Sequence, residues 1–214
     1  MPDLHFQVDE ARVLSYAAAP TLAFKLRVEN RTGEDIRSVM LKTQIQIAPI
    51  LRHYNAHEQE RLFELYGPSA HWANSLKTFL LANTVELVPA FSGSIVIDLS
   101  LPCTYDFEVA SSKYFHGLEE GEVPLEFLFS GSVFYIGDAG LQIEQISWDK
   151  EAKFRLPVQV WKEMMEQYFP NSAWLRLRKD TFDKLYAYKA RRGLHDWDAA
   201  LEGLLKSVQQ EIGD

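Results

Sequence analysis

The heptapeptide Leu22-Ala23-Phe24-Lys25-Leu26-Arg27-Val28 sets an apolar residue at every second position, with Ala23, Lys25 and Arg27 between them. Side chains of an extended chain alternate between two faces, so this stretch reads as a strand with one buried face. Asn30-Arg31-Thr32-Gly33-Glu34-Asp35 follows with the residues that tolerate the turn geometry of a chain reversal. Ile36, Val39, Leu41, Ile45 and Ile47 then restore a β-branched pattern, either one long strand or two broken by a bulge. The two runs are expected to form a hairpin-like pair of the kind that opens immunoglobulin-like sandwiches.

Outward from this pair, Leu4 to Val8 supplies an earlier strand. A helical insertion near 55–81 comes next, with Asn55 as cap and Glu58 as its capping-box partner before Leu62, Phe63, Leu65 and Tyr66. Gly67-Pro68 ends that helix, and His71 to Leu81 is expected as a second, with Trp72, Leu76, Phe79 and Leu80 on its apolar side. Further strands are expected at Val85–Val88, Ser94–Leu101, Asp106–Phe115, Pro124–Tyr135 and Leu141–Trp148, with turns at Glu119-Glu120-Gly121-Glu122 and Gly137-Asp138-Ala139-Gly140. The sum is about eight strands, and the expected fold is mainly β (α+β): an antiparallel β-sandwich over residues 1–155. Residues 156–214 read as a helical segment, with helices at Pro157–Tyr168, Thr181–Arg191 and Trp197–Gln210 and Gly193 as a stop between the last two. No Pro/Gly/Ser-rich linker precedes them, so they are expected to pack on the sandwich.

Charge is unevenly placed. Residues 1–155 hold 13 Lys/Arg against 21 Asp/Glu and residues 156–214 hold 9 of each, which together make the net charge of −8. Nucleic-acid binding draws its affinity from cations that neutralise phosphates, so nucleic acid is not an expected partner. A single cysteine, Cys103, excludes an internal disulfide and a cysteine-rich metal site, and is consistent with a reducing compartment. No run approaches the ~20 apolar residues of a membrane span. Met1 to Phe6 carries no basic segment followed by an apolar run, so the expected location is the cytoplasm.

The chemistry-bearing residues have simpler readings beside them. His53 and His57 are four apart, a metal-ligand spacing on a continuous helix, but a cap at Asn55 leaves His53 outside that helix. His5, His71, His116 and His195 are scattered. Cys103, at the junction of two expected strands, reads as a buried thiol. Ser92-Gly93-Ser94 and Ser130-Gly131-Ser132 border strands, where neither a nucleophile elbow nor a phosphate loop forms, and Gly131 reads as a bulge or a close backbone approach. An enzyme would need a constellation of distant residues, for instance His116 with Asp106 or Glu108. The suggestive surface feature is the basic stretch Arg176, Arg178, Lys179, Lys184, Lys189, Arg191 and Arg192, read either as a solvated helix face or as a docking patch for an acidic partner. Aromatics crowd the same region: Trp161, Tyr168, Phe169, Trp174, Phe182, Tyr186, Tyr188 and Trp197.

The runs Leu101-Pro-Cys-Thr-Tyr-Asp-Phe-Glu-Val109 and Pro124-Leu-Glu-Phe-Leu-Phe-Ser-Gly131 resemble an uncharacterised bacterial domain-of-unknown-function family. So do Arg155-Leu-Pro-Val158 with Trp161, Tyr168-Phe-Pro-Asn171 and Trp174-Leu-Arg-Leu177. The resemblance implies an accessory protein encoded near high-affinity nickel-iron hydrogenases and brings no catalytic residues with it. The expectation is a non-enzymatic accessory or interaction protein without a cofactor or metal. Arg176, Arg178, Lys184, Lys189, Arg191 and Arg192 are its candidate partner-binding residues, a hydrogenase subunit is its possible partner, and a homo-oligomer is left open. The alternative is a β-sandwich that binds a small molecule or a peptide.

Overall fold

The computed structural model describes residues 2–103, 109–137, 140–171 and 177–212. Within them the protein is mainly β, with strands β1 (Leu4–Val13), β2 (Thr21–Asn30), β3 (Ile36–Ile47), β4 (Phe79–Val88), β5 (Ser94–Pro102), β6 (Glu122–Gly137), β7 (Gly140–Gln145) and β8 (Glu151–Pro157). All pair antiparallel in two sheets: β1-β2-β5, and β4-β3-β6-β7 with β8 on β6 beyond β7. Helices α1 (Ala56–Arg61), α2 (Phe63–Tyr66) and α3 (Trp72–Ser75) lie between β3 and β4. Helix α4 (Val109–Gly117) lies between β5 and β6, and α5 (Val158–Tyr168), α6 (Lys179–Arg192) and α7 (Trp197–Ile212) follow β8. The chain divides into two compact units, Met1–Asn171 and Ser172–Asp214, and α5 belongs to the first, against β1, β2 and β8.

The alternation at Leu22 to Val28 does what it predicts: Leu22, Phe24, Leu26 and Val28 are fully buried. Rings bridge the sheets, Phe6 stacking on Phe129 at 4.2 Å between centroids and Phe24 meeting Phe127 edge-on at 5.2 Å. Each buried Phe contributes about 1.5–3 kcal/mol through the area it removes from water. Against this core α5 sets Trp161, which stacks on Phe115 of α4 at 4.2 Å.

Four local expectations are overturned. β2 and β3 are not a hairpin: β2 pairs with β1 and β5, β3 with β4 and β6, and residues 31–35 carry the chain from one sheet to the other. Buried Asn30 shapes this crossover. Its Oδ1 accepts from Asp3 N–H (3.2 Å) and the Thr32 hydroxyl (2.7 Å), while its Nδ2 donates to Glu34 O (2.9 Å). The second insertion helix stops at Ser75, and Phe79 to Leu81 open β4, opposite Ile47 and Gln46 of β3. Their short apolar run fits either period, and pairing to β3 decides it.

The expected strand Asp106–Phe115 is in part a helix. Residues 104–108 lie outside the described residues, and α4 buries Ser111, Tyr114, Phe115 and, just past its end, Leu118, at helical three- and four-residue spacing. A strand was missed at Glu151–Pro157, where Ala152 and Leu156 are buried, Phe154 is half-buried, and Lys153 and Arg155 point out. The number of strands among the described residues is therefore as expected, with Glu151–Pro157 in place of one expected member. Other local signals hold: the Asn55–Glu58 capping box is formed, and Gly193 ends α6 in left-handed geometry at φ 64°.

Candidate interaction surfaces

His53 and His57 are kept apart, and Cys103 is buried. His53 precedes α1, which carries His57, so the two imidazoles do not share a helical face. His57 Nδ1 instead meets Glu119 Oε1 at 2.5 Å on the surface. Burial pushes the Cys103 thiol up to about 12, so it stays protonated, and its Sγ lies 3.5 Å from Leu101 O. Asp106 and Glu108, the carboxylates paired with His116 in the enzymatic reading, lie outside the described residues. No group of three or more His, Cys, Asp or Glu is placed to hold a metal among the described residues.

One buried ion pair organises the insertion. Both Arg52 and Glu58 side chains are almost wholly enclosed, at 7% and 3% exposure. Arg52 donates to both Glu58 oxygens and to the carbonyls of Glu120 and Glu122, and Glu58 also accepts from Glu119 N–H (2.9 Å) and Asn55 N–H (3.3 Å). Burial pushes the Glu58 carboxyl up, but the Arg52 bonds and the two N–H donors outweigh it and hold it below the usual range. Glu119 is held low by His57 and Asn55. Lys162 of α5 donates to Glu119 O at 2.6 Å. Both Glu58 oxygens and all three guanidinium nitrogens of Arg52 are bonded within the chain, so the pair fastens α1 to the segment entering β6.

The outward face of the larger sheet is unusual. Val85 and Leu87 of β4 are 65% and 71% exposed, and Leu141 and Ile143 of β7 are 64% and 60% exposed. The register sets Leu87 beside Met40, Met40 beside Ser132, and Phe134 beside Ile143. Between the two apolar margins the register sets Met40 and Lys42 of β3 and the short Ser130 and Ser132 of β6. Gly131 is where the backbone approaches closely, as its sequence context predicts: φ is +129° and a Cβ would stand 1.9 Å from Met40 O. Exposed Trp148 follows β7. The polarity of β4 and β7 is inverted, with Thr84, Glu86 and Glu144 on the inner side. The sequence carries the signal of this surface, apolar residues alternating with Glu at Val85-Glu86-Leu87 and Ile143-Glu144, but alternation does not say which face is covered.

Of the candidate partner-binding residues, Arg176 lies outside the described residues. Arg178 precedes α6 and pairs with Asp180 at 3.3 Å, and Lys184 is exposed on α6. Lys189, Arg191 and Arg192 form the last turn of α6, where cations offset the helix dipole. Lys189 sits 5.6 Å from the Trp197 ring centre and Arg192 5.5 Å from that of Tyr188. The second unit buries Ala200 fully and exposes Phe182, Tyr186, Leu205 and Val208. Trp174 of the aromatic set lies outside the described residues. No helix among the described residues is long and apolar enough to cross a membrane.

Two antiparallel sheets enclosing a shared core, with helices between and after the strands and no closed barrel, place the protein among mainly β sandwiches. The chain belongs to the family of unknown function DUF6084, whose model matches residues 1–212. No curated protein matches the sequence. Among solved structures it is similar to the CARDB domain of a Pyrococcus furiosus protein, solved in complex with di-metal ions: 12% identity over 73% of this chain and 92% of that one, TM-score 0.29. It is also similar to a Kluyveromyces marxianus β-glucosidase in complex with glucose, at 7% identity over 72% of this chain, TM-score 0.27. A third is β-glucosidase 3B of Thermotoga neapolitana in complex with α-D-glucose, at 14% identity over 72% of this chain, TM-score 0.26. The match spans 15% and 17% of the two glucosidases.

Proposed function

We propose that the protein is a non-enzymatic accessory protein that binds a larger protein through the outer face of its second sheet. The observation that carries this reading is the pair of apolar margins, Val85 with Leu87 and Leu141 with Ile143, on a face where a solvated sheet would be polar. Apolar margins on either side of the short Ser130 and Ser132 side chains admit a partner's bulky side chains, and Lys42 between them admits an acidic group. The basic last turn of α6, with Lys189, Arg191 and Arg192, supplies a second, charged contact for an acidic partner surface. The resemblance to genes that accompany nickel-iron hydrogenases makes a hydrogenase subunit or a maturation intermediate the first partner to test.

The test is binding of the full chain to purified hydrogenase large and small subunits by calorimetry, beside co-purification from the native host. Binding that Val85→Asp with Leu87→Asp abolishes, in a variant that still melts like the parent, supports the reading. Recovery of the parent chain with no associated protein, and no heat with either subunit, would overturn it.

A further inference from the structure

We propose that the outer edge of β7 pairs antiparallel with β7 of a second copy of this chain, centred on Ile143, so that two larger sheets join into one. β7 pairs with β6 alone, and its other edge carries no strand among the described residues. An unpaired strand edge is a row of unused donors and acceptors, and proteins that remain monomeric blunt it. The other edge strands each carry a bulge or a proline. β1 is bulged between Val8 and Glu10, and the pairing of β4 is irregular at Ile45/Gln46. β5 carries Asp98, tied to Arg12, and ends in Pro102, and β8 carries Lys153, Arg155 and Pro157. β7, Gly140-Leu141-Gln142-Ile143-Glu144-Gln145, has no Lys or Arg, no Pro and an unbroken register, and its one charge is Glu144 on the inner side.

The available groups also select a second copy and a register. Ile146 N–H donates to Gly131 O at 2.9 Å, so the alternation of an antiparallel pair turns the backbone groups of Gln145, Ile143 and Leu141 away from β6. A two-fold axis through Ile143 sets Ile143 opposite Ile143 of the second copy, and Leu141 opposite Gln145 of the second copy. That register uses the outward groups of all three residues. It also sets Glu144, the strand's one charge, opposite Gln142 of the second copy, whereas centring on Glu144 would oppose two carboxylates. Opposed residues in such a pair share a face, so Phe134, Ile143 and their counterparts form one apolar band across the joint. Closed two-fold pairing is the commonest symmetry for soluble homo-oligomers. Each copy carries a net charge of −8, so added salt strengthens the association.

Sedimentation equilibrium of the full chain from micromolar to submillimolar concentration tests this, with Ile143→Lys and Ile143→Asp each alone and then mixed. Ile143 is 60% exposed, so both variants keep the fold, which their melting curves verify. The expected result is a concentration-dependent dimer for the parent, monomers for each variant, and a one-to-one heterodimer on mixing, because residue 143 meets its own counterpart. A parent that stays monomeric throughout, a dimer that survives Ile143→Lys, or disruption without recovery on mixing would overturn the proposal.

Discussion

Arg52 grips Glu58 with both terminal guanidinium nitrogens, Nη1 to Oε2 at 2.9 Å and Nη2 to Oε1 at 2.8 Å, in an enclosed pair that joins the segment leading into α1 to the helix itself. Removing one partner strands the other charge in a low-dielectric site, a cost of about 3–5 kcal/mol. Arg52→Met is therefore expected to lower the midpoint of urea unfolding markedly. Arg52→Met with Glu58→Leu should recover much of the loss, and a double variant as unstable as the single one would refute the account.

The same pair sets a pH dependence. Glu58 is held below its unfolded value, so its contribution is fully present above the unfolded carboxylate range, about pH 4.3, and is lost as pH falls through the folded value. Glu58→Gln should be less stable than the parent at neutral pH and show a shallower fall on acidification. Unfolding free energies between neutral and acid pH measure the difference, and parallel curves would count against it.

Gly131 makes a sharper demand on the chain. With φ at +129° and Met40 O in the space a Cβ would take, Gly131→Ala carries about 1–3 kcal/mol of backbone strain before the overlap with β3 is counted. The expected outcome is a large fall in melting temperature, whereas Gly33→Ala, with nothing near its Cβ position, should change little. Equal effects at the two sites would show that the close approach is not what β6 requires.

What could be read from the residues follows the physics of each element. The Leu22 to Val28 alternation, the Asn55–Glu58 cap and the Gly193 stop depend on local geometry, so sequence carries them fully. The fate of β2 and β3 does not. Which sheet receives β3 is decided by partners tens of residues away, Val133 and Val88, and by Asn30 bonding across the crossover. Val109–Gly117 was misread because its Tyr and Phe suit either period, and Glu151–Pro157 because its apolar residues, Ala152, Phe154 and Leu156, are separated by charges. The exposed apolar margins escaped notice for a related reason: alternation reveals that a strand has two faces but not which face the second sheet covers.

Cys103 offers a direct reading of burial. With 2% exposure and a thiol pushed up to about 12, it offers neither access nor thiolate at neutral pH. A chromogenic disulfide reagent is expected to leave it untouched in the native protein and to react fully in denaturant. Fast native-state reaction would mean that the Pro20 end of β2 and the Pro102 end of β5, joined by Cys103 N–H donating to Pro20 O at 2.7 Å, open readily.

The two faces of β3 allow the sandwich itself to be tested against the exposed surface. Leu41 and Met40 are neighbours in sequence, yet Leu41 is fully buried between the sheets while Met40 is 45% exposed beside Leu87. Leu41→Ala removes buried methyl groups and leaves a cavity, a cost of about 2–5 kcal/mol. Met40→Ser and Leu87→Ser remove apolar surface that water already reaches, so each should shift stability by no more than about 0.5 kcal/mol. Denaturant unfolding of the three variants measures this contrast. A large loss from Leu87→Ser would mean that the outer face is covered within the folded chain, and the partner surface proposed for it would then have to be given up.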